Sequence, residues 1–303
     1  MKITQKYISS SDGIHDLYVK IYTPDTDHVG IIGIIHGMTE HIERYDRFMS
    51  DMAKRGYVVY GHNHLGHKGS VRDDSELGFI SSSDGWDLLC RDSAKVYESM
   101  REEYGALPFT MLGHSMGSFV ARLTAQRYLT PDKLIIMGTG GPNPLAPIGL
   151  SLIRLIKKVK GERHVSPLIY SMAFGSYNKK FREDGEQGWL TGDADVRGAY
   201  AADKYCTFKF SVSAMGDLMT LLHKSNSKEW AQSIAKKCFP ILLVSGSDDP
   251  VGDYGRGVMS VYTMLAHSAA DVTLRLYDRY RHEILNDASY DEVVGDILKF
   301  IQA

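Results

Sequence analysis

The sequence predicts an α/β fold, with a mostly parallel central sheet, helices on both of its faces and an inserted, mainly helical cap. Short apolar runs alternate with helical patterns, and this alternation is typical of a parallel sheet covered on both sides. The runs are apolar at nearly every position, as strands buried on both faces must be. The alternation stops between Gly140 and Ala231, and so long a segment between two strands indicates an inserted unit.

Eight strands are predicted along the chain. The first two, Ile3 to Ile8 and Leu17 to Tyr22, flank the turn formers Ser11-Asp12-Gly13 and predict an antiparallel hairpin. The other six are compact apolar runs, namely Gly30 to Ile35, Tyr57 to Tyr60, Phe109 to Leu112, Lys133 to Met137, Ile241 to Ser245 and Val272 to Tyr277.

Apolar residues at helical spacing predict helices between these strands. Asp84 is expected to cap the first of them, and the four core helices are Gly85 to Tyr104, Met116 to Tyr128, Arg256 to Ser268 and Asp291 to Ile301. The core is therefore expected over 1–140 and 232–303, and the cap over 141–231. Within the cap we predict an amphipathic helix, Leu150 to Lys160, and an irregular aromatic region, Tyr170 to Phe210.

Composition argues against several classes of function. The 303 residues are 43% apolar, and 35 basic against 37 acidic side chains leave a formal charge of -2, so no nucleic-acid partner is expected. Three scattered cysteines, Cys90, Cys206 and Cys238, fit neither a disulfide framework nor a zinc motif. Because the sequence shows no secretory signal and no apolar run long enough to span a bilayer, the protein is expected in the cytoplasm.

The strongest chemical signal is Gly113-His114-Ser115-Met116-Gly117, directly after a predicted strand and directly before a predicted helix. A nucleophile on a sharp strand-to-helix turn has a strained backbone and needs small neighbours, which the two glycines provide. The N-terminus of the following helix favours negative charge that develops beside it. The pattern predicts that Ser115 is a catalytic nucleophile.

A serine hydroxyl needs a histidine base to become an effective nucleophile. His282 follows the last predicted strand and precedes the final helix, so its loop can reach the sheet edge where Ser115 is expected. His267 ends a predicted helix and His223 lies in the predicted cap, and neither position is natural for the base. His282 is therefore the predicted base.

The carboxylate that orients the base is expected directly after the next-to-last strand, where two aspartates are adjacent. Pro250 holds Asp249 in an extended conformation that can aim its side chain across the strand ends. Asp248 is interpreted as a turn residue that hydrogen-bonds its own backbone. The chain order Ser115, Asp249, His282 then matches the serine, acid, histidine order that accompanies this kind of nucleophile turn.

An oxyanion hole needs two backbone N–H groups. One is expected from Met116, the residue after the nucleophile, and the other from Met38 in the loop after the strand that ends at Ile35. Gly37 would let that loop approach the nucleophile, and His36 is interpreted as a structural residue that holds the loop. This chemistry requires no metal and no organic cofactor.

Four segments carry a resemblance to a known family. They are Ile35-His36-Gly37-Met38-Thr39-Glu40-His41 with Arg44-Tyr45, Gly113-His114-Ser115-Met116-Gly117-Ser118, Gly246-Ser247-Asp248-Asp249-Pro250-Val251-Gly252, and Arg281-His282-Glu283. Together they resemble the monoglyceride lipase and lysophospholipase-like group of α/β hydrolases, also called serine aminopeptidase S33-type hydrolases. The resemblance implies triad roles for Ser115, Asp249 and His282, and oxyanion roles for Met38 and Met116.

Two positions depart from the pattern of that family. Asn63 stands where the family usually has aspartate, and Tyr280 stands where it usually has glycine; the tyrosine is expected to narrow the approach to His282. A nearby histidine run, His62, His64 and His67, has a spacing that metal ligands could use. No aspartate or cysteine set completes a site, so these histidines are interpreted as braces for the loops and no metal is expected.

The resemblance implies a serine esterase that cleaves a small-molecule ester or lipid, such as a monoacylglycerol or a lysophospholipid. The alternatives are a broad short-chain carboxylesterase, an aminopeptidase, or a catalytically silent binding module of the same fold. The predicted cap helix carries Leu155 and Ile156 beside Lys157, Lys158 and Lys160. It is interpreted either as packing on the core or as an acyl-chain entrance that touches a membrane or micelle transiently. The oligomeric state stays open.

Overall fold

The computed structural model describes every residue from Met1 to Ala303. Its eight strands are β1 (Lys2–Ser9), β2 (Asp16–Thr23), β3 (Gly30–Ile35), β4 (Tyr57–His62), β5 (Phe109–His114), β6 (Lys133–Met137), β7 (Ile241–Gly246) and β8 (Val272–Tyr277). They form one sheet in the order β1-β2-β4-β3-β5-β6-β7-β8. The pairs β1–β2 and β2–β4 are antiparallel, and every other pair is parallel.

Ten α-helices accompany the sheet. They are α1 (Asp46–Ala53), α2 (Gly85–Tyr104), α3 (Met116–Arg127), α4 (Ala146–Lys160), α5 (Pro167–Phe174), α6 (Ala194–Ala202), α7 (Val212–Ser225), α8 (Lys228–Ala235), α9 (Arg256–His267) and α10 (Tyr290–Gln302). None of them is long and apolar enough to cross a membrane.

The predicted fold class and all eight predicted strands are confirmed. β4 and β5 run two residues further than expected, to His62 and His114, because polar residues at their ends are buried and paired in the sheet. Along β3, Ile31 and Ile35 pack into the apolar layer that includes α2 and α3 residues, whereas Ile32 and Ile34 pack into the layer of α1 and α10. This alternation places helices on both faces of the sheet.

Five helices, α4 to α8, lie between β6 and β7. The predicted helix over 150–160 begins four residues earlier, at Ala146. The segment expected to be irregular, 170–210, instead holds the end of α5, a 3-10 helix over Lys179–Asp184 and all of α6. These helices are short, so apolar periodicity could not reveal them. Residue 231, the expected end of the cap, lies inside α8, and the division into core and cap stays a prediction.

The N-terminus of α2 differs from the expected arrangement. Asp84 has a left-handed backbone with φ of 50°, and its side chain makes no capping hydrogen bond. The carboxylate of Asp217, on α7, accepts a hydrogen bond of 3.0 Å from the Trp86 N–H in its place. The predicted local cap is therefore wrong, because a residue distant in the sequence satisfies this helix end.

Candidate active site

Ser115 lies on the sharp turn between β5 and α3. Its backbone has φ of 54° and ψ of -123°, a strained conformation for a residue other than glycine. Gly117 makes this turn possible, because a Cβ there would overlap the carbonyl oxygens of Ile35 and His36 at the end of β3. The strained turn presents the serine at the carboxyl edge of the sheet, where side chains from neighbouring strand ends converge.

The predicted acid and base are in direct contact. His282 Nδ1 and Asp249 Oδ2 are 2.9 Å apart, and the two residues are 3% and 0% exposed. The other carboxylate oxygen, Oδ1, accepts a hydrogen bond of 2.8 Å from the Val251 N–H. An ionised carboxylate can only accept, so a neutral His282 ring that donates from Nδ1 to Asp249 would keep a free lone pair on Nε2.

Ser115 and His282 border the same strand end but do not hydrogen-bond to each other in this structure. The Ser115 N–H donates to the Met137 carbonyl at 3.0 Å, and a Cβ on the next residue, Gly138, would lie 3.1 Å from His282 Cε1. Both residues therefore lie against the backbone at the end of β6. Hydrogen bonds between nucleophile and base are often long before substrate binds.

The alternative acid and base side chains make no hydrogen bond to Asp249 or His282. Asp248 is in the turn after β7, but its carboxylate accepts from Lys180 Nζ at 2.5 Å instead of from its own backbone, which corrects the expected turn contact. His223 lies on α7 and His267 ends α9, and both are exposed. Of the candidates weighed from sequence, Asp249 and His282 are the pair that the structure brings together.

The loop after β3 lies against the nucleophile. A Cβ on Gly37 would lie 3.0 Å from Ser115 Cβ and 2.6 Å from a carboxylate oxygen of Glu40, so only glycine fits there. The Gly37 N–H donates to Glu40 Oε1 at 2.5 Å, and the Thr39 N–H donates to His67 Nε2 at 3.3 Å. The N–H of the residue between them, Met38, has no partner within the protein.

The second expected oxyanion donor is equally free. Met116 is the first residue of α3, and its N–H has no partner within the protein. An unpaired N–H at a helix N-terminus is a good donor to developing negative charge. The two free N–H groups, of Met38 and Met116, therefore lie on the two segments that meet at Ser115, and their catalytic roles stay predictions.

A buried charged network supports this loop, and the motif analysis did not assign it. Glu40 contacts the Tyr45 hydroxyl at 2.9 Å and His114 Nδ1 at 3.3 Å, and Arg44 pairs with both Glu40 and Glu283. Burial opposes the charge on Glu40, but the hydrogen bond to His114 and the charges of His114 and Arg44 lower its pKa to about 2. Burial also opposes the charged form of His114. The hydrogen bond to Glu40 and the negative charge of Glu40 outweigh this effect, so the pKa of His114 is raised.

This network connects the three segments of the site. Glu40 lies in the loop after β3, His114 precedes the nucleophile, and Glu283 follows the predicted base. The Arg44 Nη2 to Glu283 Oε2 distance is 2.7 Å. The only available sequence signal was that these charged residues stand within the segments that resemble the family, since pairing between distant residues has no local pattern.

The histidine run forms a buried cluster with His36. His36 Nδ1 contacts the Gly37 carbonyl at 2.7 Å, its Nε2 accepts from the His64 N–H at 3.1 Å, and His67 Nδ1 contacts the Leu65 carbonyl at 3.0 Å. Burial first, and then neighbouring histidines, hold the pKa of His36 well below its usual value. These contacts of His36, His64 and His67 hold the loops together, whereas neither ring nitrogen of His62 has a hydrogen-bond partner within the protein.

Another set of potential metal ligands lies beside the site. His41, Asp203 and Cys206 have ligand atoms within 4.8 Å of one another. His41 Nδ1 already contacts Glu43 at 2.7 Å, and its Nε2 contacts Asp203 at 2.9 Å. Both ring nitrogens therefore have carboxylate partners from the protein, which explains the cluster without an ion.

The two departures from the family pattern have clear structural consequences. Asn63 Oδ1 accepts from the Ile42 N–H and its Nδ2 donates to the Lys68 carbonyl, both at 2.7 Å. An aspartate could not make the second bond. The ring of Tyr280 packs against the apolar layer that includes Tyr277, and its effect on the approach to the base stays a prediction.

Comparisons with known proteins identify the family of this chain. The family model described as serine aminopeptidase, S33, matches residues 26–289. A monoacylglycerol lipase of Mycolicibacterium smegmatis is 25% identical over 297 residues, covering 95% of this chain and 93% of that protein. Human monoglyceride lipase is 30% identical over 119 residues, covering 39% of this chain and 37% of that protein.

Solved structures show the same architecture. A thermostable carboxyl esterase from Bacillus coagulans, in complex with glycerol, superimposes with a TM-score of 0.93 at 27% identity, over 100% of this chain and 98% of the other. A soluble variant of monoglyceride lipase from Saccharomyces cerevisiae shares the fold, with a TM-score of 0.78 at 18% identity, over 100% and 95% of the two chains. The chain therefore belongs to the serine aminopeptidase S33 family and has the α/β-hydrolase fold.

Proposed function

We propose that this protein hydrolyses carboxylic esters through an acyl-enzyme on Ser115, and that its substrates are monoacylglycerols or lysophospholipids. It is a carboxylic ester hydrolase, as its relatives that are named lipases and esterases are. The observation that supports the mechanism best is the buried contact of 2.9 Å between His282 Nδ1 and Asp249 Oδ2, next to the strained turn of Ser115.

In the first step the Ser115 hydroxyl attacks the ester carbonyl and passes its proton to His282 Nε2. Asp249 accepts from Nδ1, keeps the ring in the tautomer with a free Nε2 and stabilises the imidazolium that forms. The N–H groups of Met38 and Met116 donate to the oxyanion of the tetrahedral intermediate. His282 then returns the proton to the leaving alcohol, which departs as the acyl-enzyme forms.

In the second step water hydrolyses the acyl-enzyme, and the same protein groups assist. His282 accepts a proton from the water molecule as its oxygen attacks the acyl carbon, and the second tetrahedral intermediate uses the same two N–H donors. Collapse releases the carboxylic acid and returns the proton to the oxygen of Ser115. None of these steps needs a metal or an organic cofactor.

The inserted helices support a lipid substrate. α4 packs on α7 with Ile153 buried, yet it also exposes a second apolar face, on which Ile148, Leu155 and Val159 are 67%, 58% and 68% exposed. Lys158 on the same helix is exposed too. An apolar face edged by positive charge is typical of a helix that rests on a lipid surface, and we propose this face as the transient membrane or micelle contact.

A short-chain carboxylesterase is the second candidate. The likeness to the Bacillus coagulans carboxyl esterase, at a TM-score of 0.93 over the whole chain, favours it, and the proposed mechanism serves both activities. An aminopeptidase would need acidic side chains placed to hold the amine of the substrate. A silent binding module would keep the fold without reacting at Ser115.

A panel of substrates separates these functions. Monoacylglycerols, lysophospholipids, p-nitrophenyl esters of increasing chain length and aminoacyl amides are assayed with the wild type and with Ser115→Ala. We expect turnover of the lipid esters by the wild type and none by the variant. A preference for acetate and butyrate esters supports the short-chain enzyme, and amide cleavage supports the peptidase. Failure of a fluorophosphonate to label Ser115 indicates the binding module.

A further inference from the structure

We propose that Trp189, which the inserted segment places against the ring of His282, is a positioning residue that stabilises the imidazolium formed during acyl transfer. This inference rests on the proposed function, because it takes His282 as the general base. It goes beyond that function by giving the inserted segment a part in proton transfer, in addition to any contact with substrate.

The first observation is the ring geometry. The centroids of Trp189 and His282 are 5.2 Å apart, and the ring planes are inclined by 37°. A cation within about 6 Å of an indole ring is attracted by its negative face, and tryptophan is the strongest of the aromatic partners. In the proposed mechanism the base becomes positive when it takes the proton of Ser115 or of the attacking water, so this attraction favours each transition state over its ground state.

The second observation is that the segment around Trp189 is fastened to both chain neighbours of the base. The Glu283 N–H donates to the Leu190 carbonyl at 2.8 Å. The Arg281 guanidinium donates to the Gly188 carbonyl at 2.5 Å. Residues on either side of His282 therefore hold residues on either side of the tryptophan.

Further bonds extend this attachment along the same two segments. The Thr191 hydroxyl and the Gly192 N–H donate to Asp287 Oδ2 at 2.6 Å and 2.8 Å. The Arg281 guanidinium also donates to Asp184 Oδ2 at 2.7 Å. Two segments linked at so many points keep their relative position, so the indole and the imidazole are held together as a unit.

The charged groups around His282 make such stabilisation useful. Asp249 contacts Nδ1 from the loop after β7. His114, at the end of β5, has its ring centroid 4.8 Å from that of His282, and the paired Glu40 raises its pKa. Positive charge on this second ring opposes positive charge on the base, and the indole of Trp189 acts in the opposite direction.

The indole also packs against a second aromatic ring of the inserted segment. Tyr177 has its ring centroid 5.3 Å from that of Trp189, and Phe174 lies 5.6 Å from Tyr177. This row of aromatic rings belongs to the inserted segment and ends on the base. A displacement of the segment would therefore remove the indole from His282.

Two side-chain variants and one control test the proposal. The rate constant for fluorophosphonate labelling of Ser115 and the kcat and KM for p-nitrophenyl butyrate are measured for Trp189→Leu and Trp189→Phe. We expect leucine, which has no π face, to lower the labelling rate and kcat about tenfold with KM within about twofold, whereas phenylalanine keeps most of the rate. Trp86→Leu, on α2, reports the general cost of removing a half-buried tryptophan and is expected to leave both rates unchanged.

Trp189→Leu could disturb folding, so a second experiment changes the charge on the ring face and keeps the shape of the side chain. Mono-, di- and trifluorotryptophan are incorporated at position 189 alone. Fluorine withdraws charge from the ring face, so the labelling rate should fall stepwise with each substitution. A flat series, equal losses for leucine and phenylalanine, or a change confined to KM would each overturn the proposal. Failure of the wild type to label at Ser115 would instead refute the proposed function.

Discussion

Replacing Asp249 with asparagine exchanges one carboxylate oxygen for an amide nitrogen and leaves the shape of the side chain unchanged. In the structure Oδ1 accepts from the Val251 N–H at 2.8 Å, and Oδ2 contacts His282 Nδ1 at 2.9 Å and the Ser245 hydroxyl at 3.3 Å. The Val251 N–H can only donate, so the amide oxygen must take the place of Oδ1. The amide NH2 then faces His282 Nδ1.

This orientation forces the histidine into the wrong tautomer. Nδ1 must accept from the amide, so the ring proton moves to Nε2, the nitrogen that should take the proton of Ser115. Loss of the correct tautomer in a Ser-His-Asp triad costs about 10⁴-fold in kcat, which corresponds to roughly 5 kcal/mol of activation free energy. We therefore expect Asp249→Asn to lower kcat about 10³- to 10⁴-fold, with little change in KM.

The assay is hydrolysis of p-nitrophenyl butyrate between pH 6 and 9, with the thermal unfolding midpoint measured beside it. Asp248→Asn is the matched control, because the carboxylate of Asp248 bonds to Lys180 and not to His282; we expect its activity within about threefold of the wild type. A folded Asp249→Asn protein with activity within tenfold of the wild type would refute the tautomer reasoning.

Three other perturbations follow from the structure. Gly37→Ala places a Cβ 3.0 Å from Ser115 Cβ, and displacement of this loop should lower kcat for p-nitrophenyl butyrate about 10- to 100-fold. Leu155→Glu with Val159→Glu should lower activity on micellar monoacylglycerol several-fold and leave short aryl esters unaffected. Burial raises the pKa of Asp217 to about 7, so the folded state binds more protons than the unfolded state between about pH 4 and 7, and stability falls as pH rises through that window. Asp217→Asn should remove this pH dependence of stability. At pH 8 we expect its free energy of unfolding in urea to exceed that of the wild type by at most about 4 kcal/mol.

Each of these expectations has a result that contradicts it. Full activity of Gly37→Ala would mean that the loop after β3 does not need close contact with the nucleophile. An equal loss of activity on micellar monoacylglycerol and on short aryl esters would mean that the α4 substitutions disturb the folded structure and not a contact with the lipid surface. A urea-unfolding free energy with the same pH dependence in Asp217→Asn would show that this carboxyl group is not the one that titrates.

The sheet and the nucleophile turn could be predicted because their signals are local. Buried parallel strands are continuous apolar runs, and Ser115 is flanked by glycines that close backbone contacts require. Asp249 and His282 could be selected because side chains after adjacent parallel strands meet at one edge of the sheet. For both residues, their place directly after a predicted strand was enough to select them.

The features that sequence reasoning missed depend on contacts between distant residues. Asp217 caps α2 from 131 positions away, and Arg44 pairs with Glu283 across 239 positions. Neither pairing leaves a local pattern. The helices around Trp189 are short, 8 and 9 residues in α5 and α6, so their own apolar periodicity is weak.

The central claim is that the ester carbonyl is attacked by Ser115. The most direct test mixes the protein with p-nitrophenyl butyrate, quenches the reaction in acid within milliseconds to seconds, and maps the peptides by mass spectrometry. We predict a butyryl group on the peptide that contains Ser115, present in the wild type and absent in Ser115→Ala. A butyryl group on another residue, or undiminished turnover by Ser115→Ala, would contradict the mechanism.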